Sequence, residues 1–237
     1  DLCRREGPAA GRLHVFSVEG FPIGRDDAAR ALAAWPELGD LAQSLLRQWP
    51  DGRRGLCRMD FPEIRATLDL AIGEAADVLA GWSGLADAWF LDGFAPARNP
   101  EMWREELLAL VAARTAPGGR AATFTVAGVV RRGLQAAGFA VEKKPGFGRK
   151  RERLEAVIPG VRSSPPLPRT VAVVGAGVAA AAVARALGRE GVEARVFDAS
   201  APGAGASGAP GVMVTPRLDA GLGPVARLHA QAFNRAV

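Results

Sequence analysis

From Asp87 to Trp103 the chain reads Asp-Ala-Trp-Phe-Leu-Asp-Gly-Phe-Ala-Pro-Ala-Arg-Asn-Pro-Glu-Met-Trp. Trp89, Phe90 and Leu91 form a short apolar run between two aspartates, the pattern of a buried strand. Gly93 breaks the run, and Pro96 and Pro100 keep the next residues out of helix as far as Asn99. Asn99 is placed to cap a helix, Pro100 suits its first position, and Glu101 lies where the helix dipole favours an anion. Asp92 therefore falls at the carboxyl end of a strand, ahead of a loop and a helix, where open α/β sheets bind ligands. These residues by themselves also allow an ordinary strand-to-helix turn with a capping aspartate.

Working outward, Leu13, Val15, Phe16 and Val18 alternate through a strand that ends at Glu19. An acidic residue at that place in a nucleotide-binding sheet takes ribose hydroxyls; a solvated glutamate at a strand end is the other reading. Asp26 is expected to cap a helix through Ala34, and a second amphipathic helix runs from Leu38 to Trp49. Ala66 to Ile72 reads as a strand, followed by Gly73-Glu74 and a helix from Ala75 to Trp82. Beyond Trp103, the pattern predicts a helix over Met102–Arg114, a turn at Pro117-Gly-Gly and a strand over Arg120–Thr125. A helix over Ala127–Ala137 ends on Gly138, and Phe139–Lys143 and Arg153–Ile158 close the domain as an antiparallel pair. Strands and helices in this alternation make a Rossmann-like α/β sheet.

Between the closing strands, Lys143 to Arg153 holds six cations, glycines and one aromatic ring in eleven residues. That mixture suits phosphate contact with base stacking, and a solvated basic loop is the alternative. Residues 159–169, with two successive prolines and no periodicity, read as a linker. A second nucleotide signal follows. Val171-Ala-Val-Val174 is a buried strand, and Gly175-Ala-Gly177-Val-Ala-Ala180 opens a helix to Leu187. This is the dinucleotide fingerprint with alanine in its third place. Gly175 allows the tight turn, Gly177 lets the backbone approach a pyrophosphate at the helix N-terminus, and Ala180 takes the close-packing position. A second strand, Ala194 to Phe197, ends in Asp198, 21 residues past Gly177 and close to the spacing of a ribose-binding acid. Ser207, in Gly203-Ala-Gly-Ala-Ser-Gly208, is a candidate for cofactor phosphates, with a flexible Gly/Ala loop as the other reading. Pro210–Arg217 is expected to begin another strand, and a final helix runs from Pro224.

Hydrophobic residues make up 49% of the chain and charged residues 23%, as in ordinary globular proteins. No apolar run approaches the roughly 20 residues that span a bilayer, and the opening residues do not form a signal peptide. Two cysteines, Cys3 and Cys57, match no metal or redox spacing and are too few for a disulfide framework, so a reduced, cytoplasmic setting is expected. Only His14 and His229 are present, which leaves no case for a histidine triad or a zinc site; no metal is expected. A net charge of +5 suits a polyanionic partner. The chain opens without methionine and stops within a helix-like run, and is expected to be a piece of a longer protein.

Several of these segments carry a resemblance to one family. Asp92-Gly-Phe-Ala-Pro-x-x-Asn-Pro-x-Met-Trp103, Phe16-Ser-Val-Glu-Gly-Phe-Pro22, Gly146-Phe-Gly-Arg-Lys-Arg151 and Gly205-Ala-Ser-Gly208 resemble the bifunctional tRNA 5-methylaminomethyl-2-thiouridine biosynthesis proteins. The resemblance runs from His14 to about Phe233. It implies an S-adenosylmethionine-dependent methyltransferase domain over 1–158, the linker over 159–169, and the start of an FAD-dependent oxidoreductase domain over 170–237. It further implies that FAD-dependent removal of a carboxymethyl group exposes an amine on the wobble 2-thiouridine of tRNA, which the first domain then methylates. By resemblance Asp92 is catalytic, and Glu19 holds the ribose of the methyl donor. Glu74, where the family tends to have aspartate, meets its adenine. Arg149, Lys150, Arg151 and Arg153 face tRNA, and Gly175, Gly177, Ala180, Asp198 and Ser207 hold FAD. The glycine-rich loop for the methionine part of the donor, with the first and central strand, is expected to precede residue 1. The piece alone is therefore expected to be inactive. Two other classes of reading remain: a generic flavin oxidoreductase with a scaffolding first domain, and a non-catalytic tRNA-binding fragment.

Overall fold

A computed structural model of the chain describes residues 11–148, 150–161, 168–211 and 223–236. In order, the elements are β1 (Leu13–Glu19), α1 (Arg25–Leu32), α2 (Gly39–Arg47), β2 (Gly55–Phe61), β3 (Ala66–Ile72), α3 (Ala75–Gly81), β4 (Ala86–Phe90) and α4 (Glu105–Ala113). They continue as β5 (Thr115–Thr123), α5 (Gly128–Ala136), β6 (Ala140–Pro145), β7 (Glu152–Val157), β8 (Thr170–Val174), α6 (Val178–Arg189), β9 (Glu193–Phe197) and α7 (Pro224–Ala236). By their contacts they divide into two units, one of residues 15–59 and 68–163, the other of the described parts of 1–14, 60–67 and 164–237.

The larger unit is a Rossmann-like α/β fold whose sheet comes in two pieces. One piece has the order β4-β5-β7-β6, with β4 parallel to β5 and β7 antiparallel to both of its neighbours. The other has the order β1-β3-β2. Leu13 N–H donates to Arg65 O and Gly73 N–H to Glu19 O, so β1 and β3 advance in the same direction. Among the described residues β1 and β4 are both edges, at the place where the resemblance leaves out a central strand. Phe90 on β4 is 86% exposed there, and Leu13 and Val15 on β1 are exposed as well. An indole links the two pieces. Trp82 stacks on Phe16 of β1 with centroids 4.4 Å apart, and meets Trp89 of β4 edge-on at 6.0 Å.

The core lies under the four-stranded piece. Leu79 of α3, Leu107, Leu108 and Val111 of α4, and Val130 and Leu134 of α5 pack with Leu154 and Ala156 of β7. α4 and α5 each present residues three or four apart, the spacing that puts them on one face. Fully burying a leucine or valine of this kind contributes about 1.5–3 kcal/mol.

Several local expectations need correction. Asn99 makes no side-chain cap; Pro100–Trp103 is a single 3₁₀ turn, and the α-helix starts only at Glu105 after the extended Arg104. Asp26 does not cap its helix either, because Gly24 takes the cap position and Asp26 lies in the first turn. Pro117-Gly-Gly does turn the chain, but inside β5: residues 116–119 stand opposite Asp87 alone, so that Ala86 faces Thr115 while Ala88 already faces Arg120. Gly118, at φ +77°, takes up the kink, and its N–H pairs with Ile158 O. β2 had no counterpart in the expectations, although Cys57, Met59 and Phe61 are buried and alternate with Arg58 and Asp60. The strand expected over Pro210–Arg217 lies for the most part outside the described residues. Gly138 does follow the end of α5 in a left-handed conformation, φ +99°.

In the second unit β8 and β9 pair in parallel, with Val171 facing Ala194 and Val174 facing Phe197. The crossover is α6, as a strand–helix–strand unit requires. A ring of polar contacts lies in the same unit. Arg12 pairs with Glu190 at 3.2 Å and donates to Thr67 at 3.1 Å, Thr67 donates to Asp60 at 3.2 Å, and Asp60 pairs with Arg189 at 3.0 Å.

Candidate functional site

Asp92 follows β4 by two residues and is exposed. The backbone that carries it is tightly held. Leu91 N–H donates to Ala122 O at 2.9 Å, which continues the β4–β5 ladder to the residue before it. Trp103, 4% exposed and packed in the core, donates its indole N–H to Phe94 O at 2.8 Å. A Cβ at Gly93 would stand 3.2 Å from Trp103 Cζ2, so glycine lets the loop lie against the ring. Arg98 and Asn99 both donate their N–H groups to Ala95 O. The Asp-Gly-Phe-Ala-Pro stretch is therefore a rigid shelf over the core, with Asp92 and a 74% exposed Phe94 on its outer side.

Glu19 and Glu74 come together at the ends of β1 and β3 through the Gly73–Glu19 backbone hydrogen bond of 3.0 Å, and both are exposed. Glu74 also has structural partners. One oxygen accepts from Ala76 N–H at 2.6 Å and Asp77 N–H at 3.3 Å, capping α3, and the other meets Arg104 at 3.2 Å. Arg104 reaches Glu101 at 3.0 Å with its other terminal nitrogen, so it joins the end of β3 to the segment after Asp92. Arg104 was missed in the sequence, although it directly follows Trp103. An arginine there reads as a helix flank paired with Glu101 until the distant carboxylate of Glu74 is seen.

The basic segment forms the β6–β7 hairpin. Arg153 donates to Glu155 at 2.8 Å and to Pro145 O, Lys143 pairs with Glu152 at 3.3 Å, and Lys144 pairs with Glu142 at 2.7 Å. The Lys150 ammonium lies 5.3 Å from the centroid of the Phe124 ring, and Arg151 is exposed. Arg149 lies outside the described residues.

In the second unit the glycine loop is held by its own polar side chains. Gly175, at φ +99°, donates to Phe197 O at 2.7 Å. Asp198 accepts from Ala176 N–H at 2.6 Å and from Ser200 N–H at 2.8 Å. The Ser200 and Ala176 N–H bonds hold its carboxyl below the usual aspartate range. Ser207 Oγ accepts from Val178 N–H, the first amide of α6, at 3.0 Å, and stands 2.9 Å from where a Cβ at Gly177 would be. Ala180 is buried, as close packing of the helix requires. A cleft of about 310 Å³ is lined by Val174, Gly175, Phe197, Asp198 and Ala199. The cleft lies beside the Gly175 turn, and the Ala176 and Val178 amides at the start of α6, the kind of donors that a dinucleotide's phosphates use, are here taken by Asp198 and Ser207. Among the described residues, no group of three or more His, Cys, Asp or Glu could hold a metal ion, and no helix is long and apolar enough to cross a membrane.

A family model described as S-adenosyl-L-methionine-dependent methyltransferase matches residues 36–159. Two relatives share the name tRNA 5-methylaminomethyl-2-thiouridine biosynthesis bifunctional protein. That from Caulobacter vibrioides is 60% identical over 237 residues, and that from Caulobacter sp. strain K31 is 62% identical over 242. Each alignment takes in 100% of this chain and 40% of the relative, so the chain spans well under half the length of these relatives. A crystal structure of MNMC2 from Aquifex aeolicus aligns over 65% of this chain and 55% of its own, with 22% identity and a TM-score of 0.45, a likeness too distant to carry an argument. The chain therefore belongs to the S-adenosyl-L-methionine-dependent methyltransferase family, in the form found in the tRNA 5-methylaminomethyl-2-thiouridine biosynthesis bifunctional proteins.

Proposed function

We propose that this chain is part of a cytoplasmic enzyme that modifies the wobble uridine of tRNA. Its first 158 residues would methylate the aminomethyl group of a 2-thiouridine, and the part beginning at residue 170 would belong to the FAD-dependent removal of a carboxymethyl group that precedes it. The observation that carries this reading is the 60% identity, over every residue of the chain, to a relative named for that biosynthesis. It takes in both the Asp92 shelf and the glycine loop.

S-adenosylmethionine supplies an electrophilic methyl group. Glu19 and Glu74, on neighbouring strand ends, are suited to accept hydrogen bonds from its ribose hydroxyls and adenine amine. Methyl transfer needs the lone pair of a neutral amine, and a base at Asp92 is the obvious suggestion. Basicity argues against it: a carboxylate is a far weaker base than an alkylamine and would leave the proton on the ammonium. Asp92 instead orients the amine and stabilises the positive charge that grows on nitrogen. FAD, when bound, supplies an acceptor for two electrons. Gly175, Gly177 and Ala180 would admit its pyrophosphate to the α6 N-terminus, Asp198 would take ribose hydroxyls, and Ser207 would stand beside the phosphates. Arg149, Lys150, Arg151 and Arg153 are assigned to tRNA phosphates; replacing all four with alanine should reduce the log–log salt slope by roughly 3, at about 0.7 per phosphate.

The test is a chimera. These 237 residues replace the matching segment of the Caulobacter vibrioides relative, and tRNA from cells lacking the native enzyme is digested and its nucleosides identified. Appearance of 5-methylaminomethyl-2-thiouridine supports the reading. A folded chimera that loads both cofactors yet leaves the nucleoside unmodified overturns it.

A further inference from the structure

The four-stranded sheet fixes where the basic hairpin points. Phe90 faces Ala122, Ala122 faces Glu155, and Glu155 faces Glu142, a row running straight across β4, β5, β7 and β6. Asp92 lies two residues beyond that row, past the end of β4, and residues 146–148, 150 and 151 lie beyond it at the same end of the sheet. β7 stands two strands from β4, about 10 Å at the usual inter-strand spacing. That is on the order of one or two nucleotides of single-stranded RNA.

Phe147 is at the tip of this hairpin and is 92% exposed. It is held out by ordered backbone. Gly146 N–H donates to Arg151 O at 2.9 Å and Lys150 N–H to Phe147 O at 3.2 Å. Gly148 takes φ +59°, and a Cβ at Gly146 would fall 2.1 Å from Lys150 O, so both flanking glycines are needed for the loop to close. Burial of this ring would be worth about as much as any core phenylalanine, yet the hairpin keeps it in water. Beside it, Lys150 and Arg151 present exposed cations.

We infer that Phe147 is a stacking platform for an unpaired base next to the nucleotide presented to Asp92. This inference rests on the RNA reading above and adds to it a residue and a contact. An aromatic face accepts any base, and neighbouring cations track the backbone, the combination by which single strands are held. The hairpin thus selects for a loop nucleotide, because a base inside a duplex has no free face to offer.

The test compares the chain with its Phe147→Ala and Phe147→Trp variants, binding an anticodon stem-loop RNA and a blunt duplex of equal charge. Phe147→Ala should weaken stem-loop binding about tenfold or more, leave duplex binding alone and leave the salt slope unchanged, since no charge is removed. Phe147→Trp should restore affinity. With 2-aminopurine beside the wobble position, quenching on binding should be lost in the alanine variant and kept in the tryptophan variant. If Phe147→Ala binds the stem-loop as the unchanged chain does, or loses affinity for both RNAs alike, the inference is overturned while the RNA reading stands. An unchanged chain with no affinity for the stem-loop overturns the RNA reading, and the inference with it. A sedimentation shift in the alanine variant without any RNA effect assigns Phe147 to a protein contact and likewise sinks the inference.

Discussion

The loop after β4 and the loop after β8 both sit where an α/β sheet receives a ligand, and they are held in opposite ways. The Asp92 shelf rests on a buried indole: Trp103 packs among Leu107, Leu108 and Val111 and reaches up to Phe94 O. The glycine loop rests on exposed polar groups, Asp198 on Ala176 and Ser207 on Val178, in a strand–helix–strand unit where, among the described residues, Ala180 and Val192 are the buried side chains. A shelf tied to a core is as rigid as that core. Hydrogen bonds in water each contribute only about 0.5–1.5 kcal/mol, so the second loop can exchange its own acceptors for those of a ligand.

The largest test of this contrast is Trp103→Ala. It should destabilise the larger unit by about 3–5 kcal/mol, the cost of emptying an aromatic core site, measured by urea unfolding. A loss under about 1 kcal/mol would show that the shelf does not rest on the core. Next comes Asp92→Asn in the chimera. Methylation at saturating donor should fall about a hundredfold or more, the size found when a preorganised polar group is removed. Donor affinity should stay level and the aminomethyl nucleoside should accumulate. Normal methylation, or failure through lost donor binding, would make Asp92 a turn residue only.

Ser207→Ala should act on the glycine loop alone. It removes the acceptor at the α6 N-terminus and should cost about 1 kcal/mol, as the loss of a helix cap does. Hydrogen exchange at Val178 should speed up while the larger unit keeps its protection. Exchange that speeds up in both would end the contrast. The smallest effect is that of pH on Asp198. Its folded pKa is lowered from 3.8, first by Ser200 N–H and then by Ala176 N–H. The stabilisation is therefore present above the unfolded value and is lost as pH falls through the folded one. The amide shifts of Ala176 and Ser200 should titrate together with a midpoint below 3.8. A midpoint at or above that value would detach Asp198 from the loop.

Much of this was legible beforehand, for a physical reason that differs from element to element. The closing pair β6–β7 and the unit β8–α6–β9 are signalled by local periodicity and by glycines that a left-handed or tight turn requires. β2 carried the same alternation in Cys57, Met59 and Phe61 and could have been found by it. Asn99 misled because capping preference is a weak local term. Proline at 100 and the indole bond of Trp103 made the chain turn in 3₁₀ fashion and extend once more at Arg104 before the helix began.

By itself the sequence determined the order of strands and helices apart from β2, the placing of Glu19, Glu74 and Asp92 at or just after strand ends, and the glycine turn that opens with Gly175 and lies 21 residues, counted from Gly177, before Asp198. These follow from backbone sterics and side-chain period, which act over a few residues. Only the tertiary structure decided that Arg104 joins Glu74 to Glu101, and that Trp82 lies between Phe16 and Trp89 where the sheet parts. It also decided that Phe147 stands at the same end of the sheet as Asp92. The contacts of Arg104 with Glu74, of Trp82 with Phe16 and the placing of Phe147 at the sheet end of Asp92 join residues 30 or more positions apart, and their geometry is set by how strands register and helices pack, which no local pattern records.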